Sequence, residues 1–240
     1  MSTLFISDLH LHESRPQITR AFFQFLETQA TLAESLYILG DFFDAWIGDD
    51  DDAPLNAEVA AALKNLSNSG TKIFFMHGNR DFLIGKTFAE QSGAQLIAEG
   101  SVIDLYGTKT LLLHGDSLCT ADAAYIAFRQ QVRSPEWQAQ ILAQPLAARR
   151  ALAAQMRERS QAMNSLKAED IMDVTQADVI QSMIDANVTR MIHGHTHRPN
   201  RHSLTINDHT AERIVLGDWH EQAWALLAAE DKLELLSWNI

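Results

Sequence analysis

At 240 residues, with 46% hydrophobic and 21% charged content, the chain suits a soluble globular α/β domain or one domain with an insertion. A formal charge of −12 argues against a broad nucleic-acid footprint, so no nucleic-acid partner is expected. The one cysteine, Cys119, excludes an intramolecular disulfide and fits a reducing compartment. No run of about 18 apolar residues marks a spanning helix, and nothing at the N-terminus resembles a signal peptide.

The first element is a buried strand, Leu4-Phe5-Ile6, that stops at Ser7-Asp8-Leu9-His10. Ser14-Arg15-Pro16 opens a helix whose apolar positions Ile18, Ala21, Phe22, Phe25 and Leu26 recur at helical spacing to about Ala30. A second strand, Leu36 to Leu39, ends in Gly40-Asp41-Phe42-Phe43-Asp44. The four acids Asp49 to Asp52 read as a solvated, self-repelling loop with no metal role. A helix from about Leu55 to Asn68 closes at Gly70. The strand Lys72 to Met76 ends in His77-Gly78-Asn79-Arg80-Asp81, with Asp81 placed to cap a helix running to about Gln91.

Strands near Gln95 to Ala98 and Ser101 to Leu105 follow, and a hairpin at Tyr106-Gly107-Thr108 leads into Thr110 to Leu113, which ends in His114-Gly115-Asp116. From about Thr120 to Asp170 the composition turns Ala-, Gln- and Arg-rich and nearly free of Gly, with helix starts at Thr120, Ser134-Pro135 and Pro145: a helical insertion of about three helices. Cys119, Phe128 and Trp137 read as packing residues. Thr175 caps a helix to about Ala186, and the strand Arg190 to Ile192 ends in His193-Gly194-His195-Thr196-His197. Three or four strands from about Arg201 to Trp238 complete the chain.

Collected, the strand ends offer Asp8, His10, Asp41, Asn79, His114, His195 and His197. Imidazoles, carboxylates and an amide oxygen without cysteine suit Mn, Fe, Zn or Mg rather than a thiolate zinc site. Seven donors exceed the need of one ion, and a carboxylate such as Asp41 has two oxygens with which to bridge two ions about 3.5–4 Å apart. Taken singly, each residue has an ordinary reading: Asp or Asn as a turn residue, His as a satisfied side chain. Five such blocks at successive strand ends are not cheap coincidence.

Asp-x-His, Gly-Asp, Gly-Asn-x-Asp, His before Gly-Asp, and Gly-His-x-His in that order resemble the signature of the calcineurin-like metallophosphoesterases. The resemblance implies an α/β, four-layer metallophosphoesterase sandwich, two mixed sheets flanked by helices, as one domain over 1–240 with a helical insertion or cap at about 120–170. It implies one ion on Asp8, His10, Asp41 and His197, and a second on Asp41, Asn79, His114 and His195. Where many members of that superfamily have a protonating His after Gly-Asn, this chain has Arg80. Arginine cannot donate a proton at neutral pH. A phosphate leaving group, with a second pKa of about 6, does not need one. Arg80 can instead grip phosphate oxygens bidentately, which shifts the expectation from ester to pyrophosphate cleavage.

Gly-Asn-Arg-Asp, the length and the insertion resemble most closely the UDP-2,3-diacylglucosamine hydrolase family of lipid A biosynthesis. That resemblance implies a Mn-dependent nucleotide-sugar pyrophosphatase with two Mn2+ (Mg2+ or other divalent ions as substitutes), which yields UMP and 2,3-diacylglucosamine 1-phosphate (lipid X). Asp41, Asn79, Arg80 and His195 are then the catalytic set.

From Thr120 to Asp170, seven Lys or Arg (129, 133, 149, 150, 157, 159, 167) against five acids (122, 136, 158, 169, 170) make the insertion locally basic. Arg157, Ser160, Asn164 and Lys167 form a polar helical stripe beside an apolar one of Leu152, Met156 and Met163, suited to a phosphosugar with acyl chains. The resemblance adds Asp122 and Tyr125, and gives a substrate-binding set of Asn79, Arg80, Asp122, Tyr125, Arg157, Ser160, Asn164, Lys167 and His195.

A lipid-linked nucleotide-sugar substrate implies peripheral contact with the membrane surface, at the cytoplasmic face of a bacterial inner membrane, through an apolar opening rimmed by Arg149, Arg150 and Arg157. A monomer is expected. Competing readings are a cyclic-nucleotide phosphodiesterase or protein phosphatase, against which Arg80 and the basic insertion count, and a scaffold without chemistry, against which the complete donor set counts.

Overall fold

The structure is a computed structural model that describes residues 1–164 and 173–240, with side chains between 159 and 172 outside the description. Strand β1 (Ser2–Ile6) leads to α1 (Pro16–Thr28), opened by a proline and burying Ile18, Phe22, Phe25 and Leu26 on one face. Next come β2 (Ser35–Leu39), α2 (Pro54–Asn68) and β3 (Lys72–Met76). Helix α3 (Lys86–Ser92) stops at Gly93, whose φ of 70° is the left-handed cap that favours glycine. Strands β4 (Ala94–Ile97), β5 (Ser101–Leu105) and β6 (Thr108–Leu112) follow.

The insertion folds as α4 (Ala123–Val132), α5 (Pro135–Leu142) and α6 (Leu146–Asn164). Helix α7 (Gln176–Asp185) and β7 (Arg190–His193) return the chain to the sheets. It ends in β8 (Asn200–Ile206), β9 (His209–Val215), β10 (Gln222–Ala229) and β11 (Lys232–Asn239).

Two mixed sheets result. One has the order β11-β10-β1-β2-β3-β4, parallel from β1 to β4 and antiparallel at β10 and β11. The other runs β5-β6-β7-β9-β8, parallel only across β6, β7 and β9. Because both faces of the parallel strands are covered, they read as unbroken apolar runs. Leu4, Ile6, Ile38 and Phe75 pack with Phe22, Phe25 and Leu63 from α1 and α2. Phe5, Leu39 and Met76 point the other way, against Leu112, Ile192 and Ile214 of the second sheet. Beyond that sheet, Leu111 and Met191 meet Val179 and Met183 of α7. Helix, sheet, sheet and helix make the expected four layers.

The fold brings one end of both sheets together. His114, after β6, uses its Nδ1 against the Leu39 carbonyl of β2 at 2.8 Å, and the His195 N–H donates to Asp8 Oδ2 at 2.9 Å. The turns after β1, β2, β3, β6 and β7 therefore share one edge.

Four local expectations are corrected. Asp81 does not cap α3: it accepts the N–H groups of Gly78 (2.7 Å) and Phe42 (2.8 Å), and so ties the turns after β2 and β3 together. Asp49 takes the capping role from the preceding loop, accepting from Gly85 N–H, Phe88 N–H and Trp46 Nε1–H. The acidic run is thus no self-repelling loop, since Asp50 pairs with Arg149, and Asp51 and Asp52 with Arg150. Phe128 is 42% exposed rather than packed. Thr175 sits at the cap of α7 without a side-chain capping bond, because its hydroxyl pairs with Thr120.

Asp49→Ala leaves three donors without their acceptor and is expected to lower stability by about 2 kcal/mol, whereas Asp52→Ala changes it by at most about 0.5. Urea midpoints of the two variants check this, and equal losses would contradict it.

Candidate metal centre

Five residues of this edge have left-handed backbone: Asp8 (φ 57°), His10 (48°), Asp41 (51°), His195 (69°) and His197 (54°). Each such non-glycine conformation costs about 1–3 kcal/mol and persists only where its surroundings dictate it. Hydrogen bonds do so here. Asp8, His10 and Leu11 donate their N–H groups to the carbonyls of Gly40, Asp41 and Phe42, which carries the parallel pairing of β1 and β2 into the turns. Two glycines permit the close approach: a Cβ at Gly78 would lie 2.2 Å from Asp41 Oδ1, and one at Gly194 would lie 2.2 Å from Asp8 Oδ2.

The result is two clusters of donor atoms. Asp8, His10 and His197 form one, and Asp41, His114 and His195 the other, with the donor atoms of each within 4.8 Å of one another. Asp8 is fully buried; its Oδ2 accepts from Ser7 Oγ–H (2.6 Å) and His195 N–H, while Oδ1 has no hydrogen bond among the described residues and faces His197 Nε2 at 3.4 Å. His10 Nε2 and His197 Nε2 face each other at 3.3 Å. Asp41 lies between the clusters, Oδ2 at 4.0 Å from His10 Nε2 and Oδ1 at 3.6 Å from His114 Nε2. Because the Leu39 carbonyl can only accept, His114 Nδ1 carries a hydrogen, and the neutral ring turns its Nε2 lone pair towards Asn79 Oδ1 at 3.0 Å.

Lone pairs that converge without donors repel one another unless a proton or a cation lies among them. Burial alone would lower the pKa of His114, but Asp41, Asp8 and Asp116 outweigh it and push it up to about 9. His197, similarly opposed by burial, is raised to about 8 by the Asp8 carboxylate that its Nε2 faces at 3.4 Å. Burial lifts Asp41 to about 7 against the pull of His114, and drops His195 to about 3. A neutral imidazole ligand, a shared carboxylate and an unpartnered carboxylate oxygen fit two hard-to-borderline divalent cations.

Residues 1–199 match the model of the calcineurin-like phosphoesterase family. The chain is 66% identical over 240 residues to a UDP-2,3-diacylglucosamine hydrolase of Cellvibrio japonicus (strain Ueda107), covering 100% of both chains. It is 55% identical to the enzyme of that name from Marinobacter nauticus (97% of this chain, 95% of the relative) and 52% to that from Hahella chejuensis (99% and 97%). The chain belongs to the UDP-2,3-diacylglucosamine hydrolase family of calcineurin-like phosphoesterases.

In this phosphoesterase Arg80 stands at the rim of the clusters, its backbone N–H donating to Asp41 Oδ1 at 2.8 Å. Its Nε is buried without a hydrogen-bond partner among the described residues. Tyr125 stacks on the His195 ring at 6.1 Å and 25°. Asp122 accepts the Tyr125 N–H as the cap of α4. Ser160, Asn164 and Lys167 lie outside the described side chains.

The arginine rim expected for headgroups is not free. Arg149 is 4% exposed and held by Asp50 and the carbonyls of Ile47 and Gln144; Arg150 pairs with Asp51 and Asp52. Arg157 pairs with Asp44, which also accepts from Arg15 at 2.8 Å. Sequence reasoning gave no part to Arg15, Asp44, Asp116, Arg129 or Arg133. The one available signal was the four-residue spacing of Tyr125, Arg129 and Arg133, a single face of α4.

A cation that takes the lone pairs of His114 and His197 must displace their protons, held to about 9 and 8. Divalent-metal affinity of the stripped protein is therefore expected to rise as pH climbs through 7 to 9, with proton release on binding. Titration calorimetry in buffers of different ionisation enthalpy reads that release, and a buffer-independent heat would count against it.

Proposed function

We propose that the chain hydrolyses the pyrophosphate bond of UDP-2,3-diacylglucosamine to UMP and 2,3-diacylglucosamine 1-phosphate, lipid X, in lipid A biosynthesis. One observation carries the reading: two clusters of converging donor atoms lie beside Arg80 in a chain 66% identical over its full length to a protein of that name. Asp8, His10, Asp41 and His197 would hold one cation, and Asp41, Asn79, His114 and His195 the other, Mn2+ being the ion expected. When bound, two such cations neutralise phosphoryl oxygens and lower the pKa of an attacking water.

The chain's own groups supply the rest. Arg80 grips the phosphates and offsets the charge that develops on them. His195 and Asn79 orient the phosphoryl group on the UMP side. The departing lipid phosphate needs no proton donor, which is why an arginine suffices where a general acid would otherwise stand. Asp122, Tyr125, Arg157, Ser160, Asn164 and Lys167, from the insertion over about 120–170 of a single 1–240 domain, would take the sugar and its acyl chains.

We also propose that the protein works as a monomer at the cytoplasmic face of the inner membrane. Among the described residues no helix is long and apolar enough to cross a membrane. Since Arg149 and Arg150 are occupied by acids, exposed Phe128 and Leu142 of the insertion are the better candidates for lipid contact. Co-sedimentation with anionic vesicles that survives high salt and is lost in Phe128→Asp with Leu142→Asp is the expected result; a protein wholly in the supernatant at low salt would contradict it.

The deciding assay follows UMP release from UDP-2,3-diacylglucosamine with and without Mn2+, beside a generic aryl phosphodiester. Arg80→Ala is expected to lower kcat by about 10²–10³-fold. Turnover of the diester in preference to the pyrophosphate would overturn the reading.

A further inference from the structure

We infer that Asp116 is a positioning residue that clamps insertion helix α4 onto the site and so presets the substrate face of the insertion. Asp116 follows His114 by two residues and is fully buried. The intervening Gly115 has a φ of 121°, and a Cβ there would lie 2.8 Å from His193 Nδ1. The chain therefore turns sharply between the two, with His114 facing the donor clusters and Asp116 facing the insertion.

Three groups from one face of α4 and its end converge on that carboxylate. Tyr125 Oη–H donates to Oδ2 at 2.7 Å, Arg129 Nε–H donates to the same oxygen at 2.8 Å, and Arg133 stands 3.7 Å away. A buried carboxylate with two guanidiniums and a phenol is a charge-assisted network that has to be complete to be stable. Each donor also reaches another part of the site. The Tyr125 ring lies on His195. Arg129 bridges to Glu99, which in turn accepts from Ser117 Oγ–H. Arg133 donates to the Gly78 carbonyl at 2.9 Å and lies over the Phe82 ring, so it holds the turn that carries Asn79 and Arg80.

One acid thus connects α4 to the turns after β3, β6 and β7. Asp44 makes a comparable link at α6 through Arg157, but with a single insertion side chain.

The clamp is tested with Asp116→Asn, which keeps the shape and an acceptor for Tyr125 but removes the charge, and with Tyr125→Phe, which removes one donor and leaves the carboxylate paired. Hydrogen exchange of the holoenzyme should show protection of amides in 123–132 falling by about tenfold in Asp116→Asn, with β1 to β3 unaltered, and by less in Tyr125→Phe.

The catalytic arm rests on the substrate proposed above: in Asp116→Asn, KM for UDP-2,3-diacylglucosamine should rise by about tenfold while kcat stays within about threefold. Unchanged α4 protection overturns the clamp, as does a uniform loss of protection with a lower Tm, which marks a merely structural role. A fall in kcat at constant KM also overturns it, since Asp116 would then act at the reacting centre. The exchange arm is read without substrate, so a wild-type protein that releases no UMP overturns the substrate reading while the clamp is still decided by exchange.

Discussion

Two buried carboxylates, Asp8 and Asp41, set the terms for the rest of the molecule. A carboxylate taken out of water is costly unless hydrogen bonds and opposite charges replace its hydration. Each of these takes a backbone N–H on one oxygen, from His195 and Arg80 respectively, and turns the other towards imidazoles. That arrangement demands strand ends from both sheets within a few ångströms, left-handed turns at the donors, and glycines where the chains touch. The strain in those turns is sustained by the packed parallel strands beneath them.

A second use of acidity explains the charge distribution. The chain is strongly acidic, yet its insertion is locally basic, and the two facts are one. Asp44, Asp50, Asp51, Asp52 and Asp116 of the sheet layers receive Arg157, Arg149, Arg150, Arg129 and Arg133 of the insertion. The arginines that look like a headgroup-binding rim are paired with acids of the same molecule. Arg149, with a buried guanidinium that also satisfies two carbonyls, shows this best, because its charge is already committed to Asp50. Arg80 is the contrast: its backbone is tied to Asp41 while its Nε is without a partner among the described residues.

Much of this was legible in order along the chain. Apolar runs such as Leu36 to Leu39 and Lys72 to Met76 become strands at nearly the expected bounds, and proline and glycine mark the helix ends at Pro16, Pro54 and Gly93. The donors were legible because each stands where an apolar run stops, and their order carried the family resemblance. The errors share one cause. Asp81, Asp49 and the acidic run were read from their neighbours in sequence, but their partners lie elsewhere: Phe42 for Asp81, Gly85 and Phe88 for Asp49, Arg149 for Asp50.

By itself the sequence determined the strand and helix periodicity and the placing of seven metal-capable side chains where apolar runs stop, since these depend on local chain chemistry. Only the tertiary structure decided which donors share a cluster, which arginines are occupied, and that Asp116 ties α4 to the site. Those are long-range pairings between charged and polar groups, and a buried charge takes whichever partner the packed layers bring within reach, at a sequence distance that no local pattern encodes.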